Sequence, residues 1–400
     1  MTSSVSHVNG FIQARRWKMR VSVVQWSVAL VVLLAMLACV PRTAPAPAPL
    51  QDTPVAQPAV PALPAPMPSR EDETWAKVVA AAKKEGVVTL YSQSFVSDIG
   101  RRIADDFGKK FGIKVEILTN SGAILKERIL MEQRLKIPVA DIMTTGGASS
   151  MSELVLKGGT ERIAHELPIL RDKAAFRVDP VYSPGGEMVS VAVYFGGVLF
   201  NSNLVKPEEV RSYNDLLDPK WRGKFLSPDP SIGGGTSFFY ALRYHKVLDL
   251  DFYRRLAKQD IKRWGGNTRE GFAMVARGEY SIFLNVTTDA VAPLMAEGAP
   301  LKVMVAEEGN TGSTSNIAVV KDGPHPNAAR VFINWLLSPE GQISYGESSG
   351  STPIRKDVPD FITPGARITP KKTWLLTWEE SEWVVKDMAA KTMEQVFGSK

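Results

Sequence analysis

The chain has 400 residues, 44% apolar, 22% charged and 8% aromatic, a globular composition long enough for two lobes. This excludes a fibrous chain, a polytopic membrane protein and, with 1 cysteine, a disulfide scaffold. Of the formal charge of +6, all but one unit sits at the start, where Arg15, Arg16, Lys18, Arg20, Arg42 and Arg70 face only Asp52. The remainder is close to balanced and offers no electrostatic support for binding nucleic acid.

Residues 1–20 are polar and end in four positive charges, and a mostly apolar stretch, Val21 to Ala38, follows. This is the n-region and h-region of an export signal. Cys39 comes directly after Met36-Leu37-Ala38. A lone cysteine behind small residues at the end of an h-region resembles a bacterial lipoprotein signal, which implies cleavage before Cys39 and lipidation there. Met36 stands where that signal usually has Leu, and the n-region is long. An uncleaved anchor is the alternative, since about 18 apolar residues just span a bilayer. Pro41 to Pro68 holds 10 of the 27 prolines, interleaved with alanine and without an aromatic residue. Such a segment forms an extended spacer rather than a core. Residues 1–38 are thus expected to be a signal peptide, and 39–70 a lipidated cysteine and linker.

From Glu71 onward the rhythm is strand, helix, strand. Val87 to Tyr91 predicts a short strand; Ile99, Ile103, Phe107 and Phe111 recur at helical spacing, and Gly112 stops that helix. Ile113 to Leu118 reads as a strand, Gly122 to Leu135 as a helix, Ala140 to Met143 as a third strand, and Ser149 to Lys157 as a helix. Repeated β-α-β units imply a parallel sheet, with ligands collecting at the carboxyl ends of its strands. The loops Ser92-Gln93-Ser94 and Thr144-Thr145-Gly146-Gly147 lie at such ends. Val189 to Asn201 is long for one strand, with Gly196-Gly197 inside it, and suits a crossing between lobes. Ser237 to Lys246 and Thr268 to Arg277 read as helices; Tyr280 to Leu284, Leu301 to Val305 and Ile317 to Val320 as strands; and Asn327 to Leu337 as another helix. Trp374 to Trp378 reads as a helix face packed on a lobe.

Four segments carry a family resemblance. They are Val198-Leu199-Phe200-Asn201 with Leu204-Val205; Ser212-Tyr213-Asn214-Asp215-Leu216-Leu217-Asp218-Pro219-Lys220-Trp221-Arg222-Gly223-Lys224; His325-Pro326-Asn327 through Ser338-Pro339-Glu340-Gly341-Gln342; and Ser351-Thr352-Pro353-Ile354-Arg355-Lys356-Asp357-Val358. In order and spacing they resemble the type II periplasmic solute-binding proteins of ABC importers, in the branch that includes ferric-ion binders. The resemblance implies an α/β fold of two lobes, each a central mixed sheet flanked by helices. It places 71–192 with about 315–360 in one lobe and 193–314 with about 361–400 in the other. The crossing strands are expected near Ala192–Gly197 and Val303–Asn316. It also implies a hinge closing on a small solute, docking on membrane permease subunits, no catalysis, no cofactor and a monomer.

The ferric branch uses a His in the first loop, a Glu after the third strand and a Tyr-Tyr pair after a late strand. Here those places read Ser92-Gln93-Ser94-Phe95, Thr144 to Ser149, and Leu284-Asn285-Val286-Thr287-Thr288-Asp289. Hydroxyl, amide and glycine replace the anionic oxygen ligands that hard Fe(III) needs, so a bare ferric ion is not expected. The glycines of Ser231 to Thr236 and of Gly265-Gly266-Asn267-Thr268-Arg269 precede helices, where backbone N–H groups favour an anion. Arg269 offers a fork matched to a carboxylate or phosphonate; a solvated first-turn residue is the alternative. The expected ligand residues are therefore Ser92, Ser94, Thr145, Gly147, Gly235, Thr236, Asn267, Arg269, Thr287 and Thr288, with no metal, around a small polar anion. A ferric or iron-chelate binder and a sensor feeding a membrane kinase are the alternatives. Gly346-Glu347-Ser348-Ser349-Gly350 matches G-x-S-x-G, but a helix is expected to end before it, so it lacks the strand-turn-helix setting of a nucleophile. His165, His245 and His325 stand far apart, with no acid at ligand spacing.

Overall fold

The computed structural model describes residues 70–398 except 147–148, 180, 229–236, 266–267, 377 and 379–388. The export segment, Cys39 and the proline-rich spacer lie outside the described residues. In chain order the helices and strands are α1 (Arg70–Glu85), β1 (Val87–Ser92), α2 (Ser97–Phe111), β2 (Lys114–Thr119), α3 (Gly122–Leu135), β3 (Ile142–Thr145), α4 (Ser149–Leu156) and β4 (Val189–Asn201). They continue with β5 (Phe225–Pro228), a π-helical turn at Ser237–Ala241, α5 (Leu242–Tyr244), α6 (Leu250–Ala257), β6 (Lys262–Trp264), α7 (Thr268–Ala276), β7 (Ile282–Thr287), α8 (Thr288–Ala296) and β8 (Leu301–Val303). The last are β9 (Asn310–Val319), α9 (Pro326–Leu336), α10 (Pro339–Ser349), β10 (Thr352–Pro353), β11 (Thr373–Leu376) and α11 (Ala389–Phe397).

The apolar spacing of α2 does what it predicts. Ile103 and Phe107 are fully buried, and Gly112 ends the helix at φ 71°, donating its N–H to the Gly108 carbonyl. A left-handed residue at that point is easiest for glycine. Phe107 is the centre of an aromatic group, its ring centroid 5.0 Å from Phe332 and 5.3 Å from Trp335 of α9.

The strands form one mixed sheet in the order β2-β1-β3-β9-β4-β7-β5-β6, with β8 and β10 also on β4 and β11 on β9. β1 is parallel to β2 and β3, as the β-α-β rhythm predicts, whereas β9 runs antiparallel to both β3 and β4. In the second half β5 is parallel to β6 and β7, and β7 is antiparallel to β4. Buried side chains divide accordingly. Leu90, Ile103, Phe107, Ile142, Val189, Ile317 and Phe332 share one core, with Tyr91, Met143, Met151 and Ala318 on the other face of the same strands. Val198, Phe200, Phe225, Phe238, Tyr253 and Leu284 form another, with Leu199, Leu226, Phe272 and Phe283 opposite. β4 is the strand that serves both halves: Val189 to Val193 enter the first core, and Val198 to Phe200 the second.

The passage between cores depends on Gly196 and Asn310. A Cβ on Gly196 would lie 2.2 Å from the Val286 carbonyl oxygen, so only glycine permits β7 to pair there. The buried Asn310 amide donates to the Gly196 carbonyl (3.0 Å) and the Met304 carbonyl (2.6 Å), and its oxygen accepts the Ala306 N–H (3.1 Å). It holds β4, β9 and the turn after β8 as one unit.

Four expectations need correction. The third strand begins at Ile142, not Ala140, and continues through Thr145, because its register is set by pairing with β1 and β9. Ser237 to Lys246 is not a regular α-helix but a π-turn followed by one short turn. Trp374 to Trp378 reads as a helix face in the sequence, but Thr373–Leu376 is a strand parallel to β9. The helix expected to end before Gly346 runs to Ser349, with Gly350 as its left-handed cap. Ser348 is thus inside a helical turn, donating to the Ser344 and Tyr345 carbonyls rather than standing exposed at a strand end.

Candidate functional site

The carboxyl ends of β1, β3 and β7 meet at the β4–β9 crossing. Parallel register sets Ser92 beside Thr144, and their hydroxyls are 2.6 Å apart. Ser92 Oγ also accepts the Phe95 N–H at 2.7 Å, which folds the first loop back on itself. Ser92 is fully buried, so it shapes this loop. Ser94, two residues on, is half-buried, with its Oγ 3.2 Å from Ser315 Oγ. Ser315 spends its single proton on the Thr145 carbonyl at 2.9 Å, which makes Ser94 the donor in their pair. Three of the expected residues, Ser92, Ser94 and Thr145, therefore come together, joined by Ser315 from β9.

Strand alternation carries the site onward. Thr311, Ser313 and Ser315 occupy one face of β9, and their partners on β4 are Gly196, Tyr194 and Ala192. Tyr194 meets Tyr345 of α10 hydroxyl to hydroxyl at 2.7 Å, beside Ser315. On its other side Gly196 pairs with Thr287, the last residue of β7. α8 begins immediately with Thr288 and Asp289, so the expected Thr287 and Thr288 lie at the same crossing. Asn285, left-handed at φ 65°, accepts the Phe238 N–H at 2.9 Å and ties the start of the π-turn to β7.

The electrostatics of this cluster are set by burial. Burial, with the nearby Asp289 carboxylate adding to it, pushes Tyr194 well above the usual phenol range and Tyr345 up to about 12. Burial also raises Asp289 itself, opposed by hydrogen bonds from Thr287 and from the N–H groups of Asp289 and Ala290. Thr288 Oγ1, Asp289 Oδ1 and Thr311 Oγ1 are buried without a hydrogen-bond partner. Polar atoms sealed and unpaired at a strand crossing are costly, and here they gather between the two cores.

Arg269 is placed elsewhere. It is exposed on the first turn of α7, its guanidinium 3.8 Å from the Glu297 carboxylate. Gly147, Gly235, Thr236 and Asn267 lie outside the described residues. Among the described residues no group of three or more His, Cys, Asp or Glu side chains is arranged to hold a metal. His165 stacks edge-on against Tyr182, His245 meets the Leu375 carbonyl, and His325 Nδ1 lies 2.9 Å from the buried Asp141 carboxylate. Sequence reasoning missed Tyr194, Tyr345, Ser313 and Ser315. The hydroxyls at 311, 313 and 315 do alternate, and that period-2 signal points to one strand face.

The comparisons with known proteins agree with this architecture. The family described as bacterial extracellular solute-binding protein matches residues 88–346. Iron uptake protein A1 of Synechocystis sp. is 25% identical over 295 residues, covering 68% of this chain and 77% of its own. A putative 2-aminoethylphosphonate-binding periplasmic protein of Salmonella typhimurium is 24% identical over 314 residues, 74% of this chain and 88% of its own. In fold, the chain is similar to the Trichodesmium IdiA/FutA protein in complex with iron and citrate (TM-score 0.65, 23% identity, 78% of this chain and 99% of that one). It is likewise similar to AfuA from Actinobacillus pleuropneumoniae with fructose-6-phosphate bound (TM-score 0.62, 19% identity, 78% and 97%).

Proposed function

The chain belongs to the bacterial extracellular solute-binding proteins, a family of binders rather than enzymes, and from that premise we propose that it captures a small polar solute with an anionic group for an ABC importer. In this reading it is exported, tethered through Cys39, held off the membrane by the proline-rich spacer, and docks on permease subunits as a monomer. The observation that carries the choice of solute is the convergence of neutral hydroxyls. Ser94, Thr145, Thr287 and Thr288 stand in the segments where the ferric branch has His, Glu and Tyr ligands, and Thr311 and Ser315 of β9 lie beside them. Hydroxyls and backbone N–H groups satisfy carboxylate or phosphonate oxygens without a metal. In this reading Ser92 and Thr145 hold the first wall, and Gly147, Gly235, Thr236 and Asn267 are further proposed ligand residues. The likeness to a putative 2-aminoethylphosphonate binder supports this direction.

A thermal-shift panel tests it, with phosphate, alkyl and aminoalkyl phosphonates, small carboxylates, ferric citrate, polyamines and thiamine. A ligand at 100 times its Kd adds about 2.7 kcal/mol, a rise of roughly 4 °C for a fold of this size. A shift with phosphonates or carboxylates is expected, and no shift with any anion sinks the reading. A second reading is favoured by one observation: Tyr194, Tyr345 and Asp289 bring three oxygens to one place, a set that a ferric ion accepts once the phenols ionise. It predicts a visible charge-transfer band on adding Fe(III), lost in Tyr194→Phe.

A further inference from the structure

The carboxyl of Asp289 has no cationic partner among the described residues. One carboxylate oxygen is used by the first turn of α8, through Thr287 and the N–H groups of Asp289 and Ala290. The other, Oδ1, is sealed from solvent and unpartnered. An asparagine or serine would serve the helix start equally well, so capping does not explain a full carboxylate. The groups across from it are the phenols of Tyr194 and Tyr345, which feel its charge but are neutral. Among the described residues, the cation expected in the cleft, Arg269, is exposed and faces Glu297 instead. Buried carboxylates are ordinarily paired with a cation.

We propose that the missing cation arrives with the solute: Asp289 receives an ammonium group, and the solute is a zwitterion such as an aminoalkyl phosphonate or an amino carboxylate. This rests on the reading of the crossing as the solute site. The two poles are arranged for it. Ser94, half-buried, can turn its hydroxyl from Ser315 to the anionic end, Asp289 stands at the start of α8, and Tyr194 and Tyr345 lie between as neutral hydrogen-bonding walls. The ammonium binds while the two cores are apart, and their approach then seals it from water, where a charge-assisted hydrogen bond is strongest.

The test is calorimetric titration of the purified protein with two matched pairs: 2-aminoethylphosphonate against ethylphosphonate, and β-alanine against propionate. The amine-bearing member of a pair that binds is expected to bind at least tenfold tighter. In Asp289→Asn that preference falls below threefold. Asp289→Ser is the second variant and should behave alike. Ethylphosphonate or propionate bound as well as its amine-bearing partner overturns the inference while leaving the anion reading intact. So does a preference that survives in both variants. Failure of all four compounds, together with phosphate, to bind overturns the anion reading itself, and the inference with it.

Discussion

Replacing Asn310 by alanine probes the crossing directly. The side chain is fully buried and holds three backbone groups: the Gly196 carbonyl at 3.0 Å, the Met304 carbonyl at 2.6 Å and the Ala306 N–H at 3.1 Å. Alanine leaves all three unpaired in a place water does not reach. A net of about 1 kcal/mol per bond gives about 3 kcal/mol. Unfolding entropy near the midpoint is roughly 2.1 cal/mol/K per residue, so about 330 folded residues give about 0.7 kcal/mol/K and a fall of about 4 °C. Scanning calorimetry of the two proteins at pH 7 measures it. A fall under about 1 °C would refute the reasoning, because it would mean the three groups find other partners or were never sealed. Asn310→Asp keeps the oxygen acceptor but loses both donated bonds and buries a charge, so its fall should be at least as large.

Asp289→Asn should unfold at a higher temperature than the parent at pH 7. Burial raises the folded-state pKa of Asp289. The charged form therefore costs stability above that value, and the cost vanishes below the ordinary aspartate pKa of about 3.9. The advantage of the variant should shrink as pH falls toward that range, and a lower melting temperature at pH 7 would contradict the placement of the carboxyl. Arg269→Ala should change solute affinity by less than about twofold, since its guanidinium is exposed on α7 and faces Glu297; a tenfold loss in titration would return Arg269 to the site. Phe107→Ala should cost about 3–5 kcal/mol, as for other buried aromatic truncations, because the ring is fully buried against Phe332 and Trp335; chemical denaturation at unchanged slope is the check. Gly196→Ala should prevent normal pairing of β4 with β7, since its Cβ would meet the Val286 carbonyl oxygen; a variant with parental melting temperature would refute this.

Local periodicity and short motifs determined much of this protein. The i, i+4 spacing of Ile99, Ile103, Phe107 and Phe111 with Gly112 behind it delimits α2, and the β-forming run from Val189 to Asn201 is one strand as read. Four motif segments were enough to place the chain among solute-binding proteins. The first-loop and third-strand serines and threonines also lie where the β-α-β rhythm puts ligand loops. What pattern could not supply was pairing between distant segments. Tyr194 and Tyr345 meet although 151 residues apart, and Ser94 meets Ser315 across 221; no spacing rule reaches that far. Thr373–Leu376 became a strand because β9 offers it an edge, and a short apolar run fits either a helix face or such an edge equally well. Arg269 turns outward toward Glu297, a partner brought close only by the packing of α7 on α8. Hydrophobic period reports which face of an element is buried. Which hydroxyl, phenol or carboxylate then faces another across the crossing is decided by strand register and by the packing of two cores, and those exist only in the folded chain.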